Sequence, residues 1–375
     1  MRIAINTRLL LRGKMDGIGW FTYETTRRLV EAHPEHTFFL LFDRRPDPSF
    51  RFGKNTVPVV LCPQARHPVL WWLFFELAVP YALRRHKIDI YVSPDGFMPL
   101  HPKVPSLSVI HDLNFEHNSE NLIPSHQRYM CHFFPRYAGN ATRIATVSEY
   151  SKNDIISTYG IDSKKIDVVY DGANSLYRPH SGEEKSDIRR RFTDDKPYII
   201  FVSTILKRKN LANLLLGFDL VKHMDTTGLK LVVVGSRVWW KDELAAAWDG
   251  MRHRDDVIMP GHVEPEDLAA LLSASEALVY PSYFEGFGIP ILEAMYAETA
   301  VIASRTTSMP EVGGDAALYI DPSSPEDIAH AISQLKEPGV REGLIAKGRH
   351  QREKFSWDRT AELLWQSMTH AINGL

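Results

Sequence analysis

Two rhythms of apolar and polar positions follow each other along this chain: short unbroken apolar runs, and longer stretches with an apolar side chain every third or fourth residue. The runs at 2–11, 37–43, 56–61, 88–92, 106–110, 143–147 and 166–170 read as strands, with helices expected at 20–32 and 149–159 among the stretches between them. Ser148 is placed to cap the second of these helices. A fresh series of strands begins at 197–203 and continues at 229–234, 257–259, 277–280, 300–303 and 317–320. Strands that are apolar throughout are buried on both faces, and helices between them make them parallel, so the expected class is α/β and doubly wound. Residues 181–195 are polar and charged, which sets a domain boundary near 178–196. The expected domains are therefore 1–178 and 197–355. The last segment, 356–375, carries Ala361, Leu364, Trp365, Met368 and Ala371 on one helical face and needs a surface to lie on.

Candidate chemistry gathers where strands end. The strand 277–280 runs into a glycine-bearing loop and then a helix, with Pro290 suited to its first turn. Gly286 and Gly288 are expected to turn with positive φ, and the amides of the helix start would face an anion. Glu285 and Glu293 bracket this loop, so one ligand could be held by hydroxyls at both ends and by phosphate between them. At the turn after 197–203 stand Lys207, Arg208 and Lys209. Cations there can offset charge growing on a leaving diphosphate; Lys209, next to the helix start, is the one expected to face it, and Lys207 to be solvated. The turn of Gly261, His262 and Val263 can present backbone groups to a flat base.

In the first half, Gly13, Gly17 and Gly19 break the chain between strand and helix. Thr22 stands where the dinucleotide fingerprint would need its third glycine, which disfavours a nicotinamide cofactor. His111 and Asp112 follow directly on 106–110, where a parallel sheet opens its ligand crevice. A histidine there can exchange hydrogen bonds with a sugar or phosphate, and a carboxylate can orient a hydroxyl. His117, His126 and His132 show no metal-binding spacing.

Composition narrows the partners. The net charge of −2 does not point to nucleic acid, although Arg189, Arg190 and Arg191 form a local basic patch. Cys62 and Cys131 are the only two cysteines, so a reducing compartment is the simplest home, and without a secretory leader the cytoplasm is the default. Trp71, Trp72, Leu73, Phe74 and Phe75 are more aromatic than one buried face needs. That stretch is too short and broken to span a bilayer. It reads either as a helix packed in the core or as one whose exposed aromatics, followed by Arg84, Arg85, His86 and Lys87, rest on a membrane surface or lipid-linked substrate.

Together, Gly17 to Gly19, the pair His111 and Asp112, the segment 146–151, the triplet Arg208, Lys209 and Asn210, and above all the spacing of Glu285 and Glu293 resemble the retaining glycosyltransferases of family 4, over nearly the whole length. Thr204 stands where many members carry arginine, and Glu298 where many carry glycine. The resemblance implies the GT-B fold: two Rossmann-like domains facing across a cleft, with the C-terminal helix crossing back to the N-terminal domain. It implies a metal-independent transfer of a hexose from a nucleoside diphosphate sugar, GDP-mannose among the candidates, to a glycan or lipid-linked hydroxyl, without a cofactor. By position, Glu293 would hold the ribose, and Lys209 with Arg208 the diphosphate. Glu285 with the amides of Phe287, Gly288 and Ile289 would hold the sugar, and His111 would reach the same sugar. Gly17 and Gly19 would approach the phosphates, Val263 the base, and Asp112 the acceptor. The rivals are an epimerase of the same fold, and a sugar-nucleotide-binding subunit without catalysis.

Overall fold

In the computed structural model the described residues are 1–118, 122–261 and 263–374; His262 of the expected base-facing turn lies outside them. The chain divides into two compact units, Met1–Asp171 with Ser356–Leu375, and Gly172–Phe355.

The first unit is built on a seven-stranded sheet: β1 (Arg2–Asn6), β2 (Thr37–Phe42), β3 (Thr56–Val60), β4 (Ile90–Ser93), β5 (Ser106–Val109), β6 (Arg143–Thr146) and β7 (Ile166–Val168), in the order β3-β2-β1-β4-β5-β6-β7. The second carries six strands: β8 (Tyr198–Val202), β9 (Lys230–Val234), β10 (Val257–Gly261), β11 (Ala277–Tyr280), β12 (Ala300–Ser304) and β13 (Ala317–Ile320), in the order β10-β9-β8-β11-β12-β13. All pairings are parallel. Each sheet is a doubly wound Rossmann-like layer, and interior strands such as β4, β5, β8 and β11 are buried along nearly their whole length, as cover on both faces demands.

Three expectations need correction. The polar segment 181–195 is a helix of the second unit, Gly182–Thr193, opened by a capping box of Ser181 and Glu184. It buries little apolar surface beyond Ile188 and is tied down by Arg189, which donates to the Ala274 carbonyl and pairs with Glu276 at 2.8 Å. A helix held mainly by charges reads in sequence as a linker. Gly17 and Gly19 lie inside the first turn of the helix Gly17–Ala32, not in the loop before it, because the Asp16 carboxylate accepts from the Gly19 amide at 2.9 Å and starts the helix earlier. The aromatic run also divides. A π turn, Phe74–Ala78, inserts one residue between the helical segments Pro68–Leu73 and Val79–Arg85. Trp71, Phe74 and Phe75 consequently enter the core, while Val69, Trp72, Leu77 and Tyr81 face outward.

The closing helix, Trp357–Asn373, finds its surface on the first unit. Leu364, Met368 and Ala371 are buried there, Trp365 stacks on His33 at 3.6 Å, and Ser367 donates to Asp167 at 2.6 Å. Glu298 occupies its unusual place with φ +57, a conformation that glycine adopts freely. Arg349 holds its carboxylate with two hydrogen bonds, at 2.9 and 2.5 Å, which offsets the strain.

Candidate functional site

In the second sheet, β8 and β11 lie side by side while the chain leaves β8 toward β9 on one side and β11 toward β12 on the other. Such a switch in direction opens a crevice at the carboxyl ends of a parallel sheet. The two loops that flank it carry the residues singled out from the sequence. Close approach of the neighbouring strand ends requires Gly235 after β9, since a Cβ there would lie 1.8 Å from the Ser203 carbonyl oxygen. Asn210, held at φ +59, donates to the carbonyls of Pro281 at 3.0 Å and Pro322 at 2.6 Å, and so fastens the β8 loop to those after β11 and β13.

Glu285 lies at the centre and is 7% exposed. Its Oε1 receives Lys209 Nζ at 2.5 Å, the Ser282 hydroxyl at 2.6 Å and the Tyr280 hydroxyl at 2.9 Å, with Arg208 Nη1 at 3.2 Å. Burial opposes ionisation of this carboxyl, but the charges of Lys209 and Arg208 outweigh it and hold the pKa at about 2. Oε2 takes no hydrogen bond among the described residues, which leaves it as the oxygen available to a ligand. Ser308 steadies the loop from below, donating to the carbonyls of Glu285 at 2.9 Å and Phe287 at 3.0 Å.

Gly288 caps the next helix, Ile289–Tyr296, at φ +101; Gly286 does not take positive φ, contrary to expectation. Glu293 sits in the second turn of this helix. Burial raises its pKa to about 7, and the nearby Tyr177 hydroxyl limits the rise. Two carboxyls about eight residues apart thus differ in state: Glu285 is a fixed anion and Glu293 titrates near neutrality. Arg208 and Lys209 supply two cations although Thr204 replaces the usual arginine and is exposed. Lys207 is part-exposed and lies 3.8 Å from Glu243, as a solvated residue should. Val263 follows the end of β10 and is partly exposed.

The first unit has its own switch point, between β1 and β4. His111 stands past the end of β5, edge-on to Phe21 at 4.9 Å, with Nε2 2.8 Å from the Pro94 carbonyl. A carbonyl only accepts, so Nε2 carries the proton and Nδ1 is an acceptor. Burial lowers the His111 pKa, against the Pro94 bond and the charges of Asp112, Asp16 and Asp95. Asp112 turns back to accept from the Asn114 amide at 2.9 Å. Ser148 caps its helix as expected, accepting from the Ser151 amide.

Several site residues were not singled out from the sequence. Tyr280 and Ser282 carry no signal of their own, since one ends a strand and the other opens a turn. Ser308 and Tyr177 come from distant parts of the chain. The buried pair of Arg8 and Asp95, at 2.6 Å, lies at the first unit's switch point; polar residues directly after the runs of β1 and β4 could have found it.

Two family models match, Glycosyltransferase Family 4 over residues 15–175 and Glycosyl transferases group 1 over residues 183–351. The chain is 32% identical to O-antigen chain mannosyltransferase B of Escherichia coli over 74% of this chain and 73% of the relative. It is 30% identical to the O-antigen chain mannosyltransferase RfbU of Salmonella typhimurium over 52% and 51% of the two chains. Among solved structures, WaaG, a glycosyltransferase involved in lipopolysaccharide biosynthesis, superposes with a TM-score of 0.74 at 15% identity, over 96% of this chain and 97% of that one. Anabaena Alr3699/HepE, solved in complex with UDP and glucose, gives 0.74 at 16% identity, over 98% and 99%. At such identities the structures show the shared GT-B fold.

Replacing Lys209 by methionine should cost on the order of 3 kcal/mol in urea unfolding at about pH 7, because Glu285 then stays buried with less opposing charge. The carboxyl's ordinary pKa is 4.5 and its folded value about 2, so the pair's stabilisation is complete above the first and fades as pH falls through the second. The deficit should shrink over that window; a deficit that stays constant would show that the pair is not its source.

Proposed function

The chain belongs to glycosyltransferase family 4, and from that premise we propose that it transfers a hexose, with retention of configuration and without a metal, from a nucleoside diphosphate donor to a hydroxyl of a glycan or lipid-linked saccharide in surface-polysaccharide synthesis. GDP-mannose is the first donor to try, since two relatives are mannosyltransferases by name. The observation that carries the reading is the convergence of Lys209, Arg208 and Glu285 at the switch point of the second sheet.

In this reading Lys209 and Arg208 meet the diphosphate and offset the charge that develops on it as the bond from the anomeric carbon breaks. Glu293 accepts the ribose hydroxyls. Glu285 offers Oε2 to a hydroxyl of the transferred sugar, together with the backbone of Phe287, Gly288 and Ile289. An anion held at a pKa of about 2 by two cations is a weak nucleophile, so Glu285 positions the sugar and does not bond to it covalently. The acceptor oxygen attacks from the side of the leaving group. Its proton passes to the departing phosphate oxygen, and nucleoside diphosphate and glycosylated acceptor are released. In the first unit, His111 with Nδ1 unprotonated accepts a hydroxyl, Asp112 and the glycines Gly17 and Gly19 serve the acceptor and phosphates, and Val263 in the second unit serves the base. No observation favours an epimerase, and the second cation that Arg208 supplies supports the catalytic reading over a silent subunit.

A place at the inner face of a membrane belongs to the same proposal. No helix among the described residues is long and apolar enough to cross one. The outward face of Val69, Trp72, Leu77 and Tyr81 is flanked by exposed Arg66, Arg84, Arg85 and Lys87. Glu76, the carboxylate within that stretch, is turned to the Leu100 amide. Apolar side chains ringed by cations suit anionic headgroups.

Three outcomes follow. Glu285→Gln and Lys209→Ala should each lower turnover about 100-fold or more, with the product's anomeric configuration unchanged by proton NMR; full activity in both would sink the site. Donor affinity measured by calorimetry should rise about tenfold between about pH 6 and pH 8 as Glu293 ionises, and should be flat in Glu293→Gln. The protein should sediment with vesicles containing phosphatidylglycerol and not with phosphatidylcholine alone, and Trp72→Ala combined with Arg84→Glu should abolish this. Equal partition into both vesicle types, or into neither, would remove the anionic membrane from the reading.

A further inference from the structure

The helix Leu211–Lys222 leads away from the Lys209 loop, and its far end lies by the amino ends of β9 and β10, the opposite edge of the sheet from the donor loops. There Asp219 and His223, one helical turn apart, meet His253 from the turn that precedes β10. We propose that Asp219, His223 and His253 form a binding site for a divalent ion of the zinc type, independent of the transfer reaction. One ligand-type atom from each residue lies within 4.8 Å of the others.

The hydrogen bonds around the two imidazoles support this. His223 Nδ1 lies 2.7 Å from the Asp219 carbonyl, which can only accept, so Nδ1 bears the proton and Nε2 keeps its lone pair. His253 Nδ1 lies 2.9 Å from Asp219 Oδ1. That oxygen also receives the amides of His253 at 2.9 Å and Arg252 at 3.1 Å, as an ionised carboxylate does. Nδ1 of His253 and this oxygen are spaced as neighbouring ligands of one ion, which would take the place of the proton between them. His223 is arranged as metal-holding histidines are, one nitrogen donating to a carbonyl and the other offering its lone pair. The rings are 5.2 Å apart and cross at 75°, and His223 caps the C-terminal end of its helix, where the backbone dipole favours a cation.

Among the described residues Arg252 contests the place, with Nη1 3.4 Å from His223 Nε2. Its side chain is exposed and can swing away. Zinc takes imidazole and carboxylate ligands at about 2.0–2.2 Å, so the three groups must draw together by roughly an ångström, and exposed His223 is free to do so. Two imidazoles and one carboxylate suit zinc better than magnesium or calcium, which prefer oxygen throughout. Water would complete the coordination. The ion would tie the end of this helix to the turn at 252–253 and stiffen that edge of the unit.

The test is calorimetric titration of the untagged full chain with zinc, alongside thermal unfolding. One ion should bind at this site and raise the melting temperature, while magnesium does neither. His223→Ala and His253→Ala should each weaken binding about tenfold or more, without changing the far-ultraviolet spectrum in chelator or the rate of transfer. Arg252→Ala should tighten it, an outcome that a simple hydrogen-bonded tether would not produce. The first unit holds another group of metal-ligand type, His33, Glu35 and His36, so His36→Ala serves as the control. Binding that is absent, that survives both histidine substitutions, or that is lost only with His36 would overturn the proposal.

Discussion

One carboxylate oxygen shapes the carboxyl edge of the second unit. Glu285 Oε1 gathers an ammonium, a guanidinium and two hydroxyls from both sides of the switch point, so the loops after β8 and β11 cannot part without leaving buried charge unpaired. Burying such an ion is expensive and is offset only when its partners are close and aligned. The same arrangement suits a site that must receive a diphosphate. Two cations are already fixed in place, and Oε2 takes no hydrogen bond among the described residues. Glu293, with burial working against its charge and only a tyrosine to help, remains adjustable.

Much of the fold was legible because parallel strands covered on both faces leave unbroken apolar runs, as Ile199, Ile200 and Phe201 do in β8. The loop of Glu285 was legible as a candidate site for a related reason: glycines, acids and a proline packed into so short a stretch have few structural explanations. What escaped notice depends on pairing across sequence distance. Tyr280 and Ser308 look ordinary until the loops bring them to Glu285. The helix Gly182–Thr193 was mistaken for a boundary because arginine contacts, rather than an apolar face, hold it. Asp219 and His223 carry helical spacing in the sequence, but nothing there reveals that His253 returns to them.

The aromatic run at Trp71 shows how a local irregularity alters a surface. A regular helix carries its core face and its outer face along fixed stripes. The extra residue of the π turn advances the outward stripe from Trp72 to Leu77, so the buried and exposed sets both persist along the segment. Of the two readings of the run, packing in the core holds for one set of its side chains, and the other set is exposed. Packing claims Trp71, Phe74 and Phe75, and the cations at either end frame the remainder.

The closing helix gives the two units unequal histories during synthesis. The second is one uninterrupted segment, Gly172–Phe355, inserted into the first, which is completed only by Ser356–Leu375. Thr360 donates to the Tyr170 carbonyl, so the ends of the interrupted first unit lie close together. The inserted segment can therefore fold as soon as it leaves the ribosome, whereas the first keeps the place of Leu364 and Met368 uncovered until the last turns of helix emerge. The protein that begins first finishes last, and this exposed interval, rather than the stability of the finished molecule, is where a chaperone would find its hold.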